Sequence, residues 1–160
     1  MKGEYLTKSR KETEALGSKL AGNILKEKPG RTAFVIGLEG DLGSGKTTFL
    51  QGFAKGLGIK EKVLSPTFII FRKFLIPGAR RRFRSFYHVD CYRLKKGKDL
   101  LELGFKEIFL NPENIVAIEW PKRVQKALPD KILAMSFEFV DAKKRRIVAK
   151  GENMKELVYG

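Results

Sequence analysis

Two stretches of the chain carry apolar residues at helical spacing. Leu16, Leu20 and Ile24 follow Ser9-Arg10-Lys11-Glu12, an [ST]xxE capping sequence, and predict a helix from about Ser9 to Lys26. Phe49, Leu50, Phe53, Ala54 and Leu57 predict a second helix, Lys46 to Leu57. Elsewhere the apolar residues come in short runs, the pattern of buried strands: Thr32 to Leu38, Phe68 to Phe71, Phe86 to Tyr92 and Ile115 to Ile118. The last is almost uniformly apolar, as a central strand covered on both faces must be. The second and third of these runs either pair as a hairpin around Pro77-Gly78 or flank the first. Lys131 to Val140 alternates in part and, with Arg145 to Lys150 beyond Asp141-Ala142-Lys143-Lys144, predicts a terminal hairpin. Leu94 to Phe109 reads as short helical pieces around Gly97 and Gly104, and Asn153 to Tyr159 as a short helix. Breaks fall at Lys28-Pro29-Gly30 and Gly56 to Gly58. The expectation is one α/β domain over residues 1–160, with a mostly parallel central sheet flanked by helices and antiparallel edge strands.

Composition narrows this picture. With 160 residues, 42% of them hydrophobic, the chain can build one sizeable core. Met1-Lys2-Gly3-Glu4 lacks the apolar stretch of a signal peptide, and no run approaches the roughly 18 apolar residues of a membrane span. A soluble, cytoplasmic protein without membrane contact is expected. The single cysteine, Cys91, excludes an internal disulfide and a zinc-spaced cysteine cluster. Charge changes the picture more: 33 Lys and Arg against 18 Asp and Glu give a formal net charge of +15. Such a field suits RNA, an acidic protein surface or an anionic substrate, and equally a surface built for solubility. Arg80, Arg81, Arg82 and Arg84, interleaved with Phe83 and Phe86, read either as an RNA-contacting patch or as a solvated hairpin tip.

The chemistry is concentrated in Gly40-Asp41-Leu42-Gly43-Ser44-Gly45-Lys46-Thr47, a phosphate-binding loop of the GxxxxGK[ST] type between a predicted strand and a predicted helix. Its glycines let the backbone N–H groups of Asp41, Leu42, Gly43, Ser44 and Gly45 converge on phosphate oxygens, and the helix start adds unpaired donors and a positive dipole end. The fold expected is therefore that of the P-loop NTPases, and the cofactors ATP and Mg2+. Lys46 would meet the β- and γ-phosphates, the Thr47 hydroxyl would ligate magnesium, and Thr48 would reach the α-phosphate side. Two acids close predicted strands, Asp90 and Glu119. Ligands of open α/β sheets bind beyond the carboxyl ends of the parallel strands, so both can reach a triphosphate there. Ser65 and Thr67 either sense the γ-phosphate or cap the turn at Pro66. His88, the only histidine, shares a strand face with Asp90 and is placed to orient that carboxylate by a hydrogen bond. Trp120 either walls the site, meets a partner or packs in the core.

Taken in order, Glu39 to Phe49, Ser65-Pro66-Thr67-Phe68, His88-Val89-Asp90-Cys91-Tyr92-Arg93-Leu94 and Ile118-Glu119-Trp120-Pro121 resemble the successive signatures of the TsaE family, the small ATPases of bacterial tRNA threonylcarbamoyladenosine biosynthesis. The resemblance implies an ATPase subunit that gates or resets a complex of TsaB and TsaD, the latter modifying the adenosine beside the anticodon. It implies Lys46, Asp90 and Glu119 as catalytic residues and Thr47 with Glu119 at magnesium. Ser65 and Thr67 match a switch-like loop, Trp120 the aromatic beside the site, and the segment around Thr13 the region near adenine. Two features depart from the family: Cys91 stands at a usually aliphatic position, and the connection at residues 79–84 is unusually arginine-rich.

Two other readings compete. A small-molecule kinase would use the arginines of residues 80–84 as a lid and phosphorylate an acceptor. A nucleotide-dependent RNA- or protein-binding adaptor would need no turnover from Asp90 and Glu119, and its RNA affinity would fall steeply with salt.

Overall fold

The computed structural model describes residues 2–28, 30–64, 70–78 and 82–152. The predicted Ser65 and Thr67 switch, Arg80, Arg81 and the terminal helix lie outside them.

Among the described residues, seven strands form one sheet. In chain order the elements are β1 (Lys2–Thr7), α1 (Arg10–Ile24), β2 (Phe34–Glu39), α2 (Lys46–Gly56), β3 (Phe71–Leu75), β4 (Ser85–Asp90), α3 (Gly97–Leu101), α4 (Phe105–Leu110), β5 (Asn114–Glu119), a 3-10 segment (Pro121–Ala127), β6 (Leu133–Phe139) and β7 (Arg145–Lys150). The strands are ordered β1-β7-β6-β2-β5-β4-β3. The middle four, β6, β2, β5 and β4, run parallel, while β3, β7 and β1 are antiparallel to their neighbours. This is the mixed α/β sheet with antiparallel edges that the hydrophobic pattern predicts. β3 and β4 form the hairpin, and β5 separates them from β2, so neither flanks the first core strand. β5 is buried along its whole length, which its uniform apolar run anticipates.

Two differences have physical reasons. β1 was not anticipated: Lys2, Glu4 and Leu6 point to solvent, so the strand offers no apolar run, and it exists by extending the sheet from β7. Residues 68 and 69 of the expected second strand lie outside the described residues, and the described strand, β3, continues past Phe71 over the half-charged Phe71-Arg72-Lys73-Phe74-Leu75. As an edge strand it buries only Phe74, the residue that faces Phe86 on β4.

The core lies on both faces of the sheet. One layer joins α1 and α2 to β2, β6 and β7 through Leu20, Ile24, Phe49, Phe53, Ile36 and Ile147; the other places Phe105, Phe109, Leu100 and Val124 against Val35, Val89, Val116 and Ile118. Each fully buried side chain of this size stabilises the fold by about 1.5–3 kcal/mol. Ser9 caps α1 by accepting the Glu12 N–H at 3.1 Å, and the Glu12 carboxylate reaches back to the N–H of Lys8 at 2.6 Å. α1 and α2 approach closely because glycine occupies the contact. A Cβ at Gly17 would stand 2.2 Å from the Phe49 carbonyl oxygen, and one at Gly52 would stand 1.9 Å from that of Glu14. This seats α2, and with it the loop that precedes it.

A candidate phosphate-binding cleft

The segment between β2 and α2 turns on itself. Gly40, Gly43 and Gly45 all have positive φ, and at Gly40 a Cβ would lie 2.6 Å from both the Phe137 carbonyl oxygen and Ser44 Oγ. Gly45, at φ 102°, is the N-cap of α2; its carbonyl accepts the Phe49 N–H at 2.9 Å, while the capping position supplies no side-chain oxygen. The first-turn donors of an 11-residue helix are therefore left for a ligand, and an anion is the ligand they favour.

Around this loop lies a cleft of about 700 Å³, lined by residues 41–48, Ser9, Arg10 and Thr13 at the start of α1, Asp90, Glu119 and Trp120 from the strand ends, Ala142 and Lys143 from the β6–β7 turn, and Arg145 at the start of β7. Asp41, Leu42, Gly43, Ser44, Gly45, Lys46, Thr47 and Thr48 thus meet Asp90 and Glu119 in one place. Topology accounts for it: β2, β5 and β4 are parallel, and Asp90 pairs with Glu119 at their common carboxyl end. A second cavity of about 800 Å³ opens at the other end of the sheet, between Phe34, Leu133 and Arg82, and contains none of these residues.

Lys46 is buried, donates its ammonium to the Gly40 carbonyl and lies over the Trp120 ring at 4.3 Å from the centroid. Trp120 is the one non-glycine residue with positive φ among those described, at φ 60°; it walls the cleft and meets Tyr92 at a tilt of 59°, with ring centroids 5.3 Å apart. Asp90 is half-buried and accepts the Tyr92 N–H at 2.9 Å. Burial raises its carboxyl above the ordinary value and the Glu119 charge adds to this, against the Tyr92 N–H, His88 and Lys46, which lower it.

His88 is not the orienter of Asp90. Its Nε2 lies 2.7 Å from Glu119 Oε2, across the β4–β5 ladder, and strand alternation alone could not reveal a partner on the next strand. The arginine connection also differs from expectation. Phe83, just before β4, and Phe86, on it, are both buried in the core and are not exposed stacking platforms. Arg82 donates to the Glu27 carbonyl and rests on Phe83, and Arg84 pairs with Glu113 at 3.6 Å. Both precede β4, at the sheet end opposite Asp90, so neither can serve as a lid over the glycine loop. Cys91 is buried, with its thiol pushed up to about 12 by burial and then by Asp90 and Glu119, so it packs rather than reacts. Thr13, buried, holds Thr7 by a 2.7 Å hydroxyl bond at the cleft's α1 side. Arg10, Lys143 and Arg145 line the cleft without a sequence signal: Arg10 comes with the start of α1, and the β7–β6–β2 order, invisible in a single chain's periodicity, brings Lys143 and Arg145 there.

Fold and site together define an α/β protein whose mixed sheet carries a glycine loop with open helix-start donors, faced by two carboxylates at its carboxyl edge. The profile described as threonylcarbamoyl adenosine biosynthesis protein TsaE matches residues 7–147. The tRNA threonylcarbamoyladenosine biosynthesis protein TsaE of Rickettsia typhi is 33% identical over 146 residues, 91% of this chain and 92% of that one. The protein of the same name from Bacillus subtilis is 36% identical over 133 residues, 81% of this chain and 73% of its own. The crystal structure of Bacillus subtilis YdiB superposes with a TM-score of 0.74 at 28% identity, covering 98% of this chain and 89% of that one. The chain belongs to the TsaE family of tRNA threonylcarbamoyladenosine biosynthesis proteins.

Proposed function

We propose that this chain is a cytoplasmic, magnesium-dependent P-loop ATPase subunit of threonylcarbamoyladenosine synthesis, hydrolysing ATP to gate or reset a TsaB–TsaD complex. The carrying observation is the convergence of Lys46, Thr47, Asp90 and Glu119 on one cleft with the glycine loop. The net charge of +15 suits a subunit of a complex that works on tRNA.

The residues fit a magnesium nucleotide. Among the described residues no group of three or more His, Cys, Asp or Glu could hold a metal ion by itself. The Thr47 hydroxyl and the Glu119 carboxylate would supply the protein oxygens, the arrangement expected of an ion that keeps waters and phosphates in its shell. Bound there, Mg2+ would neutralise charge on the β- and γ-phosphates. Lys46 exchanges the Gly40 carbonyl for phosphate oxygens. Asp90 and Glu119 orient the attacking water, whose oxygen bonds the γ-phosphorus as the bond to the β–γ bridging oxygen breaks, ADP leaves and the water's protons pass to the released phosphate and solvent. Trp120 and Tyr92 shield one flank from solvent. Thr67 would face the γ-phosphate from its switch segment. A kinase lid finds no support, since Arg82 and Arg84 lie at the far end of β4.

Phosphate release from magnesium-ATP, measured for the chain alone and with TsaB and TsaD, tests the reading. Stimulation by the pair that Glu119→Ala abolishes is expected. Tight nucleotide binding with no stimulation by cognate partners would favour the adaptor.

A further inference from the structure

Arg145 stands in the cleft with no role in the scheme above. β7 turns Ile147 and Ala149 into the core shared with α1 and α2, and the two-residue period of a strand puts Arg145 on that same face, one step beyond the core. That is where α2 begins. A Cβ on Gly45 would lie 3.4 Å from Arg145 Cγ and 3.7 Å from its Nε. The guanidinium is fixed: it lies 4.7 Å from the Phe139 ring centroid, and Nη1 donates to the carbonyls of Asp141 at 2.6 Å and Lys144 at 3.0 Å. Its Nε–H, by contrast, is buried with no hydrogen-bond partner among the described residues. An unanswered buried donor is costly, and on a permanent cation it calls for an anion.

The sheet order locates that anion. β2, which launches the glycine loop, lies between β5 and β4 with the two acids on one side and β6 and β7 with Arg145 on the other. A polyphosphate in the loop would have the metal and the acids on one flank, leaving its opposite flank to Arg145. We propose that Arg145 is a phosphate-binding residue, donating Nε–H to an oxygen on the flank of the polyphosphate away from Asp90 and Glu119. This rests on the nucleotide reading above. The β6–β7 hairpin thereby becomes part of the site rather than an edge of the fold, and its guanidinium is pre-positioned before ligand arrives.

The test is calorimetric titration of the full-length chain with magnesium-ADP and, separately, with inorganic tripolyphosphate, for the wild type, Arg145→Gln and Arg145→Lys, with thermal melting to confirm folding. Charge-assisted bonds of this kind are typically worth about tenfold or more in affinity, so Arg145→Gln should bind both ligands about tenfold more weakly. Arg145→Lys keeps the charge and can still reach the hairpin carbonyls but lacks the Nε–H, and should recover only part of the loss. A loss for ADP with none for tripolyphosphate would assign Arg145 to the base or ribose and overturn the proposal. Unchanged affinities would reduce Arg145 to a hairpin brace, and full recovery by lysine would remove the Nε–H bond. A wild-type chain that binds neither ligand would overturn the nucleotide reading itself, a result distinct from loss of Arg145 alone.

Discussion

His88 on β4 and Glu119 on β5 form a buried pair, Nε2 to Oε2 at 2.7 Å, with side chains 1% and 4% exposed. The imidazole thus takes one carboxylate oxygen and fixes the plane in which the other is offered. Its Nδ1 has no partner among the described residues, so the ring's hydrogen bonding is directed at Glu119 alone. Groups that hold a ligand's carboxylate this way typically change metal affinity or activity by about 10–100-fold when removed. His88→Phe keeps a planar ring of similar size without the N–H. Its expected effect is a drop in phosphate release in that range and a need for more magnesium at half-maximal rate. His88→Gln, whose amide can donate from nearly the same place, should restore part of both. Equal rates for wild type and His88→Phe across a magnesium series would show that Glu119 needs no such restraint.

Lys46 and Trp120 yield an optical prediction. The ammonium lies over the ring of the only tryptophan in the chain, an attraction worth roughly 0.5–2 kcal/mol, and it must leave the Gly40 carbonyl to reach phosphate. Adding magnesium-ADP should therefore change Trp120 emission, and Lys46→Ala should shift the emission of the free protein and remove most of the nucleotide response. Turnover of Lys46→Ala should fall by about 100-fold or more, since a fixed cation at developing charge is typically worth several kcal/mol. A Lys46→Ala chain that hydrolyses ATP normally would place the chemistry elsewhere.

Much of this arrangement was legible in the chain, and the parts that were not share a cause. Glycine spacing, the two helices and the acids closing Phe86–Val89 and Ile115–Ile118 depend on local pattern, which periodicity reports. Whatever depends on which strand lies beside which was hidden. His88 looked toward Asp90 because both share β4, while its partner lies on the neighbouring strand. Arg145 belonged to a terminal hairpin until β6 paired with β2. β1 carries too little apolar surface to register as a strand. Phe83 and Phe86 alternate with arginines in the sequence, yet the fold buries both rings and uses Arg82 to tie down the end of α1's exit loop at Glu27.

The glycines between α1 and α2 allow a controlled comparison. In an open helix, Gly→Ala stabilises by about 0.5–1 kcal/mol. Gly22, on α1, has nothing within 4 Å of where its Cβ would stand, so Gly22→Ala should gain that amount. Gly52→Ala must instead push its methyl into the backbone of Glu14, and overpacking of this sort typically costs about 1–3 kcal/mol. Denaturant titrations of the two variants should move in opposite directions. A stabilised Gly52→Ala would mean that the helices sit further apart than described.

Asp90 contributes to the pH dependence of stability with a sign opposite to that of a salt-bridged carboxylate. Burial raises its carboxyl in the folded protein, so the folded state holds the proton more tightly than the unfolded chain. Its contribution is fully present below the unfolded carboxylate range, near pH 4, and is lost as pH rises through the raised folded value. Above that value the charged Asp90 is thus a net burden on folding. Asp90→Asn removes the charge while its side-chain oxygen can still accept the Tyr92 N–H. The variant should melt at a higher temperature than the wild type at pH 7, with the gain shrinking as pH falls through the raised folded value and gone below about 4, the unperturbed carboxylate value. Phosphate release should fall in the same variant, the usual opposition between stability and a strained site. A lower melting temperature at pH 7 would show that Lys46 and the Tyr92 N–H outweigh burial and hold Asp90 as a stabilising anion.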